Sequence, residues 1–138
     1  MGMVYIAGAI DLQTTWDKQQ TDPRDTAEAK LLFANVAVYR PDKAIRASDI
    51  SVDGVARSIR ELNYAAIEAC AGMIAIVGLR MSVGTVMDMM KAREAGIPVV
   101  VVLHEIRRPS YLVDWPCYVG AENAVRALLA EMGEPRGA

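Results

Sequence analysis

GMIAIVGLRMSVGTVMDMMKAREA, residues 72–95, is the stretch on which the fold turns. After Gly72 the run MIAIV is continuously apolar, too short for a globular helix and suited to a strand covered on both faces. Ser82-Val83-Gly84-Thr85 breaks the run, and residues 86–95 carry helical spacing. That helix is expected to stop at Gly96-Ile97-Pro98, with glycine just past the last periodic residue and proline two further on. Asp88 falls in its first turn on this reading. A helix N-terminus at the carboxyl end of a parallel strand is where open α/β sheets bind ligands.

Upstream, residues 3–7 are a short apolar run opening on Gly8-Ala9-Ile10-Asp11, so a first strand ends at Gly8. Residues 11–24 are polar and irregular, and a connection this long in a compact domain is usually functional or disordered. Residues 25–35 suit a helix, with Ala27, Leu31, Leu32 and Phe33 near its buried face. Residues 36–39 read as a second strand ended by Pro41, and residues 40–49 as a polar loop. Ser51 and Asp53 are candidate caps for a helix running to Cys70 through Val55, Ile59, Leu62, Ala66 and Ala69. Downstream, residues 98–103 (PVVVVL) repeat the non-alternating strand pattern, and 104–114 form a loop with Arg107 and Arg108. Residues 117–119 suit a short edge strand, and 122–132 an amphipathic helix through Val125, Leu128 and Leu129. Strands alternating with helices predict an α/β fold with a doubly wound, mostly parallel sheet of four to five strands and helices on both faces, Rossmann-like or flavodoxin-like. Residues 1–133 make one domain and 134–138 a flexible tail.

Composition narrows the chemistry. A formal net charge of −2 over 138 residues gives no electrostatic reason to expect nucleic acid or an anionic membrane as partner. The longest apolar run, residues 97–103, is far below the roughly 20 residues of a membrane span. The start, MGMVYIAGAID, lacks the pattern of a signal peptide. Cys70 and Cys117 form no CxxC, and His104 is the sole histidine, which argues against a disulfide framework, a zinc site and a histidine-based triad. A cytoplasmic protein with no metal and no cofactor is expected.

No G-x-G-x-x-G follows the first strand, and neither a P-loop motif nor a G-x-S-x-G elbow is present. Carboxylates and an amide near strand ends remain: Asp11, Asp17, Asn63 and Asp88. Asp88 has two readings. Thr85-Val-Met-Asp88 fits a variant capping box, with Thr85 as N-cap. Alternatively the helix dipole favours an ionised Asp88 facing the crevice, and Gly84 lets a sugar or phosphate approach the backbone. Such a carboxylate suits attack on, or stabilisation of, an oxocarbenium-like centre.

YIAGAID at 5–11, ELNYAAIEACAGMIAIV at 61–77 and SVGTVMDMMKAREAGIPVVVV at 82–102 together resemble the nucleoside 2-deoxyribosyltransferase family and its related N-glycosidases. That family typically reads Y-x-A-G-P near its start and later S-x-G-T-x-x-E-x-x-x-A-x-x-x-G-K-P-V. The likeness runs in order from the first strand to the fourth. It implies cleavage of the N-glycosidic bond of a nucleoside or nucleoside monophosphate through a covalent glycosyl–carboxylate intermediate. It implies a small-molecule partner and a homo-oligomer, a dimer or larger. By position, Asp88 falls on the nucleophilic Glu, Tyr5 on the tyrosine that orients it, and Asn63 on an Asn or Asp lining the site. Gly84 and Thr85 fall on the sugar or phosphate loop, with Ser82 and Gly8 beside them. Three residues depart from the pattern: Asp88 for Glu, Ala71 for a common Asp, and Ala9 for Pro.

Asp11 and Asp17 are candidates for helping the base depart, and Trp16 for stacking on it; a loop Trp covering apolar surface is the plainer reading. Asn63 also reads as a surface or capping amide, and Tyr5 as core. Met81, Met87, Met89 and Met90 can wall a base pocket or fill core. Arg40 and Arg80 can meet a phosphate or lie solvated on the surface. A nucleotide-binding protein without catalysis, or a structural subunit with a vestigial crevice, are the alternatives from other classes.

Overall fold

The computed structural model describes residues 2–8, 22–44, 53–77, 82–103 and 112–133. In chain order these form β1 (Val4–Ala7), α1 (Pro23–Phe33), β2 (Val38–Tyr39), α2 (Pro41–Ala44), α3 (Asp53–Ala69), β3 (Gly72–Val77), α4 (Val83–Glu94), β4 (Val99–Leu103), β5 (Cys117–Val119) and α5 (Ala121–Gly133). The strands make one five-stranded sheet in the order β2-β1-β3-β4-β5. Every pairing is parallel, so the expected "mostly parallel" sheet is wholly so among the described residues. The chain runs outward from β1 to β2, then crosses back to β3 on the far side of β1. Open α/β sheets bind ligands at such a reversal, here the carboxyl ends of β1 and β3.

Strand alternation divides the core in two. Val4, Ile6, Ile74, Ile76, Val100 and Val102 face α1 and α5. Tyr5, Ala7, Met73, Ala75, Val77 and Val101 face α3 and α4, with Met89 and Ile67. Burying each large aliphatic side chain contributes roughly 1.5–3 kcal/mol, which is why both faces of β3 and β4 read as uninterrupted apolar runs. No helix among the described residues is long and apolar enough to cross a membrane.

Local chemistry sets the helix ends, and several differ from the expectation. α1 starts at Pro23 rather than residue 25, because Asp22 caps it: its Oδ1 accepts from the Arg24 backbone N–H at 2.9 Å, and a proline in first place needs no donor. Asn35 follows α1 in the left-handed region at φ 62°. β2 is confined to Val38–Tyr39, and Pro41 opens the short α2 inside the expected loop. α4 begins at Val83, three residues early, and stops as expected at Gly96, whose φ of +76° suits glycine.

The helix faces also differ from the expectation. On α1, Ala27 and Leu31 are buried, but Leu32 and Phe33 point outward, Phe33 at 92% exposure. Among the described side chains of α3 the buried positions are Asn63 and Ile67, followed by Cys70, while Leu62 is exposed; Val55 lies outside the described side chains. Leu62 and Asn63 are neighbours a third of a turn apart, and contact with the sheet, not polarity, chose between them.

Candidate active site

α4 presents Thr85, Asp88, Met89 and Ala92 at i, i+3, i+4 and i+7, one stripe of a helix. Thr85, Met89 and Ala92 are buried, so Asp88 is a carboxylate set into the sheet-facing side. The capping-box reading fails on geometry. Ser82 is the N-cap, its Oγ accepting from the Thr85 N–H at 3.4 Å, and Asp88 lies in the second turn. Asp88 therefore meets none of the helix's own start.

Its partner comes from β1. Tyr5, fully buried, donates its hydroxyl to Asp88 Oδ2 at 3.0 Å. Burial raises the Asp88 carboxyl from 3.8 to about 6, against the opposing Tyr5 hydrogen bond and the charge of Arg60. Burial and the adjacent Asp88 push the Tyr5 phenol well above its ordinary value of 10, so it stays a donor. Above about pH 6 the pair is an ionised carboxylate held by one neutral phenol, partly desolvated and oriented by that bond.

Asn63, whose plainer reading from sequence is a surface or capping amide, is 9% exposed and faces inward. Its Oδ1 accepts from the Tyr39 hydroxyl at 3.4 Å, and Tyr39 stacks on Tyr5, centroids 5.4 Å apart. Tyr5, Asp88 and Asn63 are thus joined through Tyr39, a residue the sequence did not single out. Its signal was the parallel register, which sets Tyr39 beside Tyr5.

The loop residues divide. Gly8 follows β1 and is half-buried. Thr85 is 2% exposed, and its hydroxyl finds no partner among the described residues, a state costing about 1–3 kcal/mol. A Cβ on Gly84 would meet only Ser82 Oγ, at an ordinary 3.6 Å, so packing does not require glycine there. Asp11, Trp16, Asp17, Arg80 and Met81 lie outside the described residues. Ala71 precedes β3, its N–H bonded to Met3 O at 2.7 Å, at the sheet's amino edge. An Asp there would stand at the opposite edge from the crevice.

Other candidates are placed elsewhere. Arg40 is neither solvated nor free: it bonds Asp25 at 2.7 Å, Asp42 at 2.8 Å and Glu28 at 3.1 Å with its side chain 4% exposed. Met89 is core, whereas Met87 and Met90 line an outer groove of about 530 Å³ with Tyr64, Val86 and Lys91, and neither Tyr5 nor Asp88 borders it. Among the described residues no three His, Cys, Asp or Glu side chains are grouped to hold a metal ion.

No family model and no curated protein matches this chain. Among solved structures it resembles a 2-deoxyribosyltransferase from the psychrotolerant bacterium Bacillus psychrosaccharolyticus, at TM-score 0.73 and 13% identity, covering 94% of this chain and 95% of that one. It also resembles a Clostridium botulinum CMP N-glycosidase, at TM-score 0.61 and 18% identity, covering 91% of this chain and 97% of that one. Over nearly its whole length the chain has the flavodoxin-like α/β fold of these two enzymes.

Proposed function

We propose that this protein cleaves the N-glycosidic bond of a nucleoside or nucleoside monophosphate and passes the sugar to another base or to water. The observation that carries this reading is the half-buried Asp88 carboxylate held by Tyr5 at 3.0 Å, in a chain with the fold of a deoxyribosyltransferase and a CMP N-glycosidase. In the proposed reaction an Asp88 oxygen bonds the anomeric carbon while the carbon–nitrogen bond breaks. The base leaves with that electron pair and takes up a proton, with Asp11 or Asp17 as the proposed donor. The acceptor then attacks the same carbon and releases the carboxylate. The Tyr5 bond keeps Asp88 aimed and ionised. Asp is shorter than Glu by one carbon–carbon bond, about 1.5 Å, yet it still reaches Tyr5, which supports a working nucleophile.

Gly8, Ser82, Gly84 and Thr85 are assigned to the sugar or phosphate, the observation in favour being a Thr85 hydroxyl that finds no partner among the described residues. Trp16 is assigned to the base. The protein is read as cytoplasmic and as a homo-oligomer, the latter supported by exposed Leu62, Val83, Val86 and Met90 on α3 and α4. A binding protein without turnover is the second reading, favoured by the shorter Asp88. Incubation with deoxynucleosides and their 5′-monophosphates, followed by chromatography for free base, decides: base release supports catalysis, and a ligand-dependent thermal shift without release supports binding alone.

A further inference from the structure

We propose that Tyr39 is a positioning residue, its ring holding the Tyr5 hydroxyl in line with Asp88. The proposal rests on the reading of Asp88 as nucleophile, and its test is independent of turnover. Tyr5 and Tyr39 are direct partners in the parallel ladder of β1 and β2. Their side chains therefore leave the sheet on the same face, and the rings stack at 5.4 Å with 21° between planes. A tyrosine hydroxyl sits at the end of a long lever, so a small rotation about χ1 or χ2 carries it out of hydrogen-bond range of a fixed acceptor. Stacking removes that freedom on one side of the Tyr5 ring.

Tyr39 needs an anchor of its own. β2 is an edge strand of two residues, Val38–Tyr39, and offers little backbone restraint. The anchor is α3: the Tyr39 hydroxyl donates to Asn63 Oδ1 at 3.4 Å. At that length the bond is weak, and the ring contact carries the effect. Asn63 thus acts at the end of a connected line, Asn63 to Tyr39 to Tyr5 to Asp88, in which only the last residue reaches the sugar. A misplacement near 1 Å at such a nucleophile costs roughly a hundredfold in rate.

The test is the Asp88 titration, followed by carboxyl-carbon NMR in the free protein. Tyr5 opposes the upward push of burial on Asp88, and Arg60 opposes it too; neither group is altered in the Tyr39 variants. Tyr39→Met and Tyr39→Val remove the ring at a half-buried edge position, where either side chain is tolerated in a strand. Both should raise the Asp88 midpoint by about one pH unit, a tenfold change, matching Tyr5→Phe. Tyr39→Phe should restore most of the native value. Adding Tyr39→Met to Tyr5→Phe should give no further rise, since both act through one bond. A native or lowered midpoint in the folded Met or Val variant would overturn the proposal, as would an additive rise in the double variant. Absence of base release with these shifts present would sink the enzymatic reading and leave the positioning intact.

Discussion

Tyr5 and Asp88 stand 83 positions apart in the chain and meet through one hydrogen bond, Tyr5 Oη to Asp88 Oδ2, at 3.0 Å. The bond joins the first strand to the fourth helix on one face of the sheet. It also moderates the ionisation of the carboxylate, because a donor to the charged form opposes the larger upward push of burial.

The pH dependence follows. With Asp88 at about 6, base release requiring the carboxylate should rise through that pH and level above it. Tyr5→Phe removes the stabilising donor, so the rising limb should move to higher pH, by about one unit. Rate profiles between pH 4.5 and 8.5 check this, and an unmoved limb would contradict it.

Stability should run the other way. The folded value of about 6 lies above the 3.8 of an ordinary Asp, so the favourable contribution of protonated Asp88 is complete below about pH 3.8. It is lost as pH rises through about 6. The difference corresponds to on the order of 2–3 kcal/mol. Asp88→Asn keeps an acceptor for Tyr5 and carries no charge. Its Tm should exceed the native one at pH 7.5, with the advantage nearly gone at pH 4. Equal Tm values at both pH values would rule out the desolvated carboxylate.

Arg40 gives a prediction about stability alone. Its side chain is 4% exposed and pairs with Asp42, itself 12% exposed. Arg40→Met leaves Asp42 short of its nearer cation and should cost about 3 kcal/mol, roughly 10 °C in Tm. Asp25→Ala removes a 58%-exposed partner of the same guanidinium and should cost under about 1 kcal/mol. Thermal unfolding of the two variants separates the buried pair from the exposed one.

Much of this was legible in the chain. Residues 72–77 and 98–103 are apolar without alternation because both sheet faces are covered, and both became inner strands. The pairing of Tyr5 with Asp88 was carried by the resemblance. Helix phase was less legible: Leu62 and Asn63 exchanged the roles their polarity suggested, and Leu32 and Phe33 lie on a solvent face. Such choices are made by contacts with distant strands, which local pattern does not encode. Tyr39 was missed for the same reason, since its meaning depends on register with β1. Thr85 was read as the cap because Ser82 and Thr85 are both good capping residues, and only backbone geometry distinguishes them.

Assembly supplies a further check. Leu62 and Met90 are 57% and 51% exposed, and Val83 75%, an apolar surface on α3 and α4 that a second copy would cover. Light scattering should give at least twice the 15.0 kDa chain mass. A monomer at working concentration would remove the homo-oligomer from the account.

The central claim is that Asp88 is the nucleophile, and base release by its variants tests that most directly. On any nucleoside or 5′-monophosphate the native protein turns over, Asp88→Ala should lower release by at least about a thousandfold while its thermal unfolding stays cooperative. Asp88→Glu should keep activity, and a rise above native would fit the longer reach. Asp88→Ala releasing base at the native rate would contradict the mechanism, whatever the fold resembles.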